Sequence, residues 1–329
     1  MYGNSRSAAL LLALTAAFFA SVSDAYAQTR YPERPVTLVV PSPPGGVHDV
    51  IGRVWAERIR PQLGTIVVEN RGGAGAMIGA TDVARSKPDG YTLLLGSTTT
   101  QVLITPMLAK PPFEPFRDFI TVAAFAASST SIAVASSVPA RSLKELIDYA
   151  KANPGKLSYG STGNGSITHL TGELFKKLAG GLDIVHVPYK GIGPALNDLV
   201  SGHIPMLTPN ATGQIPQLND AGKLRLLSVN SLQRLDVLPE VPTSTEAGLQ
   251  GMVAQTTFAI FAPAGTPKDI VEKISGLTQS ALSDKEFQKQ LVNIGFEPLV
   301  GMTPESSEKL FRQEADRWVP IIKTIGPAN

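Results

Sequence analysis

Short apolar runs alternate along this chain with longer segments in which apolar residues recur every three or four positions. The runs are typical of buried strands, and the longer segments are typical of amphipathic helices. The run VTLVV at residues 36–40 and the helical spacing of residues 51–63 form the first such pair. Strands are predicted at residues 36–40, 66–69, 91–96, 132–135, 157–160, 184–188, 204–207, 224–230, 258–262 and 296–300. Helices are predicted at residues 50–63, 75–85, 143–153, 168–179, 193–201, 215–221, 268–283, 285–294 and 304–325.

This order of elements favours an α/β fold with parallel sheets, in which the arrangement occurs twice. One unit is predicted at residues 28–126 and a second at residues 127–252. The C-terminal strand and helices need a sheet to cover, so residues 253–329 are assigned to the first domain. Two segments then cross between the domains, and ligands in such folds lie beyond the carboxyl ends of the strands. The predicted site is therefore a cleft between two domains.

The N-terminus has the features of a secretory signal peptide. Arg6 precedes an apolar run at residues 8–22, and Ala25-Tyr26-Ala27 fits a small-x-small cleavage site. The run is too short to span a bilayer comfortably. Cleavage after Ala27 is expected, with export to the periplasm, and an uncleaved anchor is the alternative.

Composition excludes several classes of function. The chain has no cysteine, which rules out thiolate catalysis, cysteine-ligated metals and disulfides. Its net charge of +2 is small and its basic residues are scattered, so no nucleic-acid partner is expected. No later apolar run is long enough to cross a membrane. No cofactor is predicted.

The loop PSPPGGVHD at residues 41–49 is the first candidate for binding chemistry. Its two glycines let the backbone turn with exposed N–H groups, and the following helix presents the positive end of its dipole. Such a turn suits a carboxylate or another small anion. A tight strand-to-helix connection explains the same residues, and the loop alone does not separate the two interpretations.

Further loops rich in hydroxyl groups follow other predicted strands. They comprise residues 96–100, residues 161–166 and residues 208–212. Neutral donors at helix N-termini can hold a carboxylate without a full counter-charge. The same Ser and Thr residues also suit helix caps, and Ser166 or Thr168 is expected to cap a helix in either case.

Groups needed for catalysis are missing from the pattern. Ser166 stands where a phosphate-binding loop would carry its lysine, and no Gly-x-Ser-x-Gly segment is present. The histidines His48, His169, His186 and His203 lie in separate segments without metal-ligand spacing. His186 is expected to be structural, although the fold could bring His48 and His169 into the cleft from opposite sides. We expect neither an enzyme nor a metal site.

Motifs spread over the whole mature chain resemble those of the Bug (TctC-type) proteins, the extracytoplasmic solute-binding components of tripartite tricarboxylate transporters. They are YPERPVTLVVPSPPGG, VVENRGGAGAMIGA, KPDGYTLLLG, DYAKANPGKLSYGSTGNGS, HLTGELFK, VPYKG, PALNDLVSG, AGKLRLLSV, PEVPTSTEAG and APAGTP. The ordered set is far more specific than any one motif.

The resemblance implies a two-domain periplasmic-binding-protein fold (Venus-flytrap, type II-like) that binds a small carboxylate through neutral donors. It also implies membrane subunits of such a transporter as partners and a monomeric receptor. Asp49 is expected to hold the loop amides, because its charge would repel a carboxylate. The ligand-binding residues it implies are Pro44, Gly45, Gly46, Asp49, Ser97, Thr98, Ser161, Gly165, Ser166 and Asn210.

Two departures from the family pattern bear on the ligand. Pro205 and Pro209 stand where the family usually carries aspartates, which leaves Asn210 as the polar residue, and Thr105 stands where an Asn is common. Loss of acidic groups suggests a ligand without an ammonium group. A sensory module for a membrane signalling protein and an exported hydrolase are the alternative functions. The hydrolase lacks an activated nucleophile and base.

Overall fold

A computed structural model describes residues 31–325, so the predicted signal peptide and its cleavage site lie outside the described residues. The strands are β1 (Val36–Val40), β2 (Ile66–Asn70), β3 (Thr92–Ser97), β4 (Phe119–Ser129), β5 (Ser131–Ala135), β6 (Leu157–Ser161), β7 (Ile184–Pro188), β8 (Met206–Leu207), β9 (Leu224–Val229), β10 (Gln255–Pro263) and β11 (Glu297–Pro298). The α-helices are α1 (Val47–Leu63), α2 (Met77–Ala84), α3 (Pro115–Asp118), α4 (Leu143–Ala152), α5 (Ile167–Leu178), α6 (Ile192–Val200), α7 (Ile215–Asp220), α8 (Lys268–Leu282), α9 (Lys285–Asn293) and α10 (Pro304–Ile325).

The first sheet has the strand order β11-β4-β10-β3-β1-β2. Strand β1 lies parallel to β2 and β3, and the carboxyl ends of β1 and β3 therefore meet at one edge of the sheet. Helices α1 and α8 pack against each other, and α10 packs on β4. The indole Nε1 of Trp55, on α1, donates to Thr278 Oγ1 on α8 at 3.1 Å, which satisfies its polar atom inside the core. We call this sheet and its covering helices lobe 1.

The second sheet has the strand order β7-β6-β8-β5-β9. Strand β6 lies parallel to β7 and β8, which brings the loops after these three strands to the same edge. Its core is apolar, with Leu170, Phe175 and Leu199 fully or almost fully buried. We call this sheet and its helices lobe 2.

The prediction of two α/β units is confirmed, but the prediction of parallel sheets is wrong for several strands. β10 runs antiparallel to both β3 and β4, and β5 runs antiparallel to β8 and β9. The physical reason is the route of the chain. β4 leaves the first sheet where β5 begins the second, and β10 returns after β9, so these strands run against their neighbours.

Strand β4 itself is missing from the prediction. Its sequence FITVAAFAASS is rich in alanine and serine and has no polar alternation. Ten of its eleven residues are buried, because neighbouring strands and helices cover both faces. A strand buried on both faces carries no period-two signal, and alanine has low strand propensity.

The two crossing segments are joined to each other by hydrogen bonds. The chain passes to the second sheet between Ser129 and Ser131 and returns before Gln255. At the crossing, Thr130 N and Oγ1 both donate to Ala254 O at 2.9 Å. Residues from Arg34 onward form one compact unit, and the domain boundaries at 126/127 and 252/253 stay predictions.

Candidate functional site

The loop of residues 41–46 lies at the carboxyl end of β1 and leads into α1, as the sequence predicts. Gly46 is the N-cap of α1, and among the described residues no side chain caps this helix. The free amides of its first turn therefore remain as donors. Gly45 has φ +79°, in the left-handed region that favours glycine, and Pro44 is exposed at the tip of the loop. We call residues 41–46, the start of α1 and residues 97–98 the first lip.

Asp49 fixes this loop from within the first turn of α1. Its Oδ2 accepts a hydrogen bond from Gly45 N at 2.9 Å, and its Oδ1 accepts from Arg53 Nε and Asn70 Nδ2, each at 2.9 Å. Burial raises the pKa of the Asp49 carboxyl, and these three hydrogen bonds outweigh burial, so the pKa lies below its ordinary value. The carboxylate is thus ionised, buried and fully engaged by the protein.

Ser97 ends β3 beside the first turn of α1. Its Oγ lies 2.9 Å from His48 Nε2, and both residues are buried. Burial lowers the pKa of His48 to about 4, so the ring is neutral at pH 7. The ring also meets Phe258 edge to face, with centroids 5.0 Å apart.

The hydroxyl of Thr98 is hydrogen-bonded to other groups of the protein. Its Oγ1 accepts from Thr257 N at 2.9 Å and bonds the carboxylate of Glu314 on α10. Thr257 Oγ1 donates to Glu314 Oε1 at 2.8 Å. Burial raises the pKa of Glu314. This effect outweighs the two hydrogen bonds and the charge of Arg317, which lower the pKa. Thr98 therefore ties the first lip to β10 and α10 through its side chain.

Ser161 occupies the corresponding position in lobe 2, at the end of β6. Its Oγ lies 2.7 Å from His186 Nε2 and accepts from Gly163 N at 3.2 Å. We call residues 161–166 and the start of α5 the second lip. Ser161 and Ser97 thus end parallel strands in different sheets, and each contacts the Nε2 atom of a histidine.

Other polar groups of the second lip are engaged locally. Ser166 is the N-cap of α5 and accepts from His169 N at 3.2 Å, which confirms the predicted cap. The amide of Gly165 donates to His169 Nδ1 at 3.2 Å. Thr168 Oγ1 accepts from Thr162 N at 2.9 Å. These bonds shape the lip and leave fewer free donors than the count of hydroxyl groups suggests.

Two histidines that the sequence places in separate segments lie together behind the second lip. The rings of His169 and His186 stack with centroids 4.0 Å apart and an interplanar angle of 17°. Burial lowers the pKa of His169, and burial together with the charges of His169 and Lys176 lowers that of His186 to about 3. No group of three or more His, Cys, Asp or Glu side chains within residues 31–325 is placed to hold a metal ion.

The two lobes contact each other directly beside the lips. Ile167 N, at the start of α5, donates to Thr99 Oγ1 of lobe 1 at 3.4 Å. A Cβ atom on Gly165 would lie 3.3 Å from Met107 Sδ, and one on Gly75 would lie 3.1 Å from Asn164 O. Backbone thus faces backbone between Gly75 and Asn164, where no side chain has room.

The loop of residues 189–191 also faces lobe 1, and it is not among the loops predicted to bind the ligand. A Cβ atom on Gly191 would lie 3.8 Å from Pro43 Cγ in the first lip. Gly191 is the N-cap of α6, for which the described residues offer no side-chain cap. The sequence did carry a signal for this loop, because the last three residues of VPYKG lie between a predicted strand and a predicted helix.

Asn210 lies at the crossing between the lobes. Its Nδ2 donates to Ser128 Oγ at 2.7 Å and to Thr256 Oγ1 at 3.1 Å. The side chain thus bonds β4 and β10, both strands of the first sheet. Asn210 therefore contacts β4 and β10 where the chain crosses between the sheets, and we call these two strands the hinge strands.

Comparison with known proteins gives the family and the same fold. Residues 51–327 match the family model described as "Tripartite tricarboxylate transporter family receptor". Protein BugT of Bordetella pertussis is 33% identical over 96% of this chain and 97% of its own length.

Two similar proteins have been solved with acids bound. R. palustris Rpa4515 with adipate has a TM-score of 0.84 and 34% identity, covering 89% of this chain and 98% of that one. MatC from Rhodopseudomonas palustris with bound malate has a TM-score of 0.83 and 30% identity, covering 89% of this chain and 100% of that one. The predicted Venus-flytrap fold is therefore confirmed.

Proposed function

Because this chain belongs to the receptor family of tripartite tricarboxylate transporters, we propose that it captures a small carboxylate between its two lips. The observation that carries the proposal is the arrangement of neutral donors on both sides of the lobe contact. Uncapped amides of α1 and the hydroxyl of Ser97 lie on one side, and Ser161 and the start of α6 lie on the other.

The first lip supplies the main carboxylate contacts in this proposal. The uncapped amides of the first turn of α1 donate to the carboxylate oxygens, helped by the positive end of the helix dipole. The amides of Gly45 and Gly46 shape the loop, because they already donate to Asp49 Oδ2 and Pro43 O. Asp49 does not contact the ligand, because its oxygens already accept from Gly45, Arg53 and Asn70. Its role is to hold the loop in the donating conformation.

The second lip and the α6 terminus complete the site on the other side. Ser161 donates from its hydroxyl. Gly165, Ser166 and Thr98 act by shaping the lips, since the amide of Gly165 and the hydroxyl groups of Ser166 and Thr98 are engaged within the protein. A ligand that bonds both lips favours the arrangement in which the lobes touch. Asn210 links lobe 2 to the hinge strands and adjusts that arrangement.

The ligand class is narrowed by the scarcity of free acidic groups. Asp49 is the acidic side chain at the start of α1, and Arg53 and two hydrogen-bond donors neutralise it. An ammonium group on the ligand would lack a partner at this lip. We therefore include in the proposal that the ligand is a carboxylic acid without an amino group.

The proposed working form is an exported monomer in the periplasm that passes its ligand to membrane subunits of the transporter. Relatives bind adipate and malate, which supports the ligand class. No helix within residues 31–325 is long and apolar enough to cross a membrane. Residues 1–27 are proposed to be removed on export.

A thermal-shift panel tests the proposal. Ligand-stripped protein is screened against carboxylates, the primary amides of the same acids, amino acids, amines and sugars. At a hundred times its dissociation constant a ligand stabilises the folded protein by about 2.7 kcal/mol, which shifts the melting temperature by several degrees. Hits confined to carboxylates would support the proposal. Hits confined to amines, sugars or amides would contradict it.

A further inference from the structure

The two lobes contain the same pairing of a strand-terminal serine with a histidine. In lobe 1, Ser97 Oγ lies 2.9 Å from His48 Nε2, and in lobe 2, Ser161 Oγ lies 2.7 Å from His186 Nε2. The histidines come from different elements, namely the start of α1 and the middle of β7. Both serines are fully buried at the carboxyl ends of parallel strands.

Each ring has one hydrogen bond to the protein. Within residues 31–325, the imidazoles of His48 and His186 make no hydrogen bond other than the one between Nε2 and the serine hydroxyl. Their burial keeps both rings neutral at pH 7, so each carries a single N–H proton. The position of that proton, on Nε2 or on Nδ1, therefore sets the direction of the bond to serine.

The direction of that bond decides what each serine can offer across the cleft. A serine hydroxyl has one proton to donate. When the ring accepts at Nε2, the proton of the hydroxyl points at the ring, and the cleft meets oxygen lone pairs. When the ring donates from Nε2–H, the hydroxyl proton is free to point at a ligand.

In lobe 1, the direction of the serine–histidine hydrogen bond depends on the histidine alone. Apart from His48, no described residue hydrogen-bonds to Ser97 Oγ. In lobe 2, the competing acceptor for the Ser161 proton is Gly163 O at 3.3 Å, a long contact for a hydroxyl donor. A carboxylate oxygen would displace it, because hydrogen bonds to charged acceptors are roughly twice as strong.

We propose that His48 and His186 are positioning residues that hold the Nε2–H tautomer and turn the hydroxyl protons of Ser97 and Ser161 toward the ligand. The inference rests on the proposed function, because a carboxylate needs donors. The two rings thereby make each lip selective for hydrogen-bond acceptors without placing a positive charge in the cleft.

The direct test is the tautomeric state of the ring nitrogens. Two-bond ¹H–¹⁵N spectra of the histidine side chains are recorded at pH 7 on the whole mature protein. His169 provides an internal standard, because its Nδ1 accepts from Gly165 N and its proton must therefore lie on Nε2. Signals of His48 and His186 with the His169 pattern would support the proposal, and an Nδ1–H pattern in either ring would overturn it.

Substitution provides a second test with a matched pair of variants. His48→Gln keeps an N–H donor near the position of Nε2, whereas His48→Leu removes it. With malate and adipate as probes, the Leu variant is expected to lose at least about tenfold in affinity, and the Gln variant is expected to recover most of that loss. His186→Gln and His186→Leu are compared in the same way, and exposed His203→Gln is the control.

Equal losses in the Gln and Leu variants, with both folded by circular dichroism, would overturn the proposal, because a merely structural ring would not separate them. The two failures are distinguishable. Acid binding by the wild-type protein combined with an Nδ1–H ring would overturn this inference and leave the proposed function standing. Nε2–H rings without binding of any carboxylate in the panel would overturn the proposed function and support the pairing alone.

Discussion

Asp49 illustrates how one buried acid can serve a site proposed for anions. The role of Asp49 is predicted before the structure is known, because its charge would repel a carboxylate ligand and the loop amides remain as its partners. The structure places Asp49 Oδ2 2.9 Å from the amide of Gly45. The Ser–His pairs could not be predicted in this way, since Ser97 and His48 are 49 residues apart and meet through the sheet.

Asp49→Asn should weaken both the fold and carboxylate binding. The amide lacks the charge that the three donors share, and its NH₂ group can face Gly45 N. We expect the free energy of unfolding at pH 7 to fall by about 1–2 kcal/mol, since hydrogen bonds to charged groups contribute about 1.5–3 kcal/mol each. Denaturant unfolding and ligand titration measure the two effects.

The pH dependence of that change has a definite sign. The folded pKa of Asp49 lies below its ordinary value, so its contribution is present above the unfolded pKa and is lost as pH falls through the folded pKa. The wild-type advantage over Asp49→Asn should therefore shrink below about pH 4. Exposed Asp82→Asn is the control, and an Asp49→Asn protein as stable and as tight-binding as wild type would refute this role.

His48 should make the fold sensitive to mild acid. Burial lowers its pKa in the folded state to about 4 from an ordinary 6.5, so the unfolded chain binds a proton first as pH falls. Its stabilising contribution is complete above pH 6.5 and is lost between pH 6.5 and about 4, by on the order of 3 kcal/mol. His48→Gln should flatten the profile of unfolding free energy over that window, and an unchanged slope would contradict the account.

At the scale of elements, the turn before α2 is one of the segments of lobe 1 that contact lobe 2. Ala74 and Ala76 have φ of +46° and +83°, and Gly75 between them has φ +64°. Left-handed alanines are strained, and such strain is concentrated at functional sites. The motif RGGAGA marks a turn in the sequence, but its contact with Asn164 depends on how the lobes meet, which no local pattern encodes.

Gly75→Ala should hinder the approach of the lobes. The new Cβ atom would lie 2.7 Å from Cδ1 of Ile104, the end of a flexible side chain of lobe 1 that can turn away, and 3.1 Å from the backbone oxygen of Asn164. The lobes must therefore separate by a few tenths of an ångström at Asn164. Gly213→Ala is a matched control, because Gly213 has a similar φ of +61° and nothing within 4 Å of the added atom. Both variants should lose about 1 kcal/mol of stability from the left-handed conformation.

Only the Gly75 variant should lose affinity for carboxylates. A cost of about 0.7 kcal/mol on the lobe-contact arrangement reduces apparent affinity roughly threefold. Titration of both variants with the same acid measures the difference. Equal affinities in Gly75→Ala and Gly213→Ala would show that this contact has no part in binding.

At the scale of the molecule, two α/β units joined by two crossing segments were within reach of sequence reasoning, because the strand–helix alternation repeats. The mixed direction of the strands was not, since it depends on β4 and β10 as they cross between the sheets. Strand β4 was missed because an alanine-rich strand buried on both faces lacks a periodic signal. The family motifs supplied the ligand class, which the α/β pattern leaves open.

The central claim is that a carboxylate joins the two lobes, and an interlobe distance tests it most directly. The chain has no cysteine, so Lys151→Cys on α4 and Lys289→Cys on α9 would carry the only two spin labels. Both lysines are exposed on helices of different lobes.

Pulsed electron resonance measures the distance distribution with malate, adipate and the remaining acids of the panel, and with the amides of the same acids. We predict that at least one acid collapses the distribution to a single shorter distance and that its amide does not. A distribution that no acid changes, or that amides narrow equally, would contradict the account.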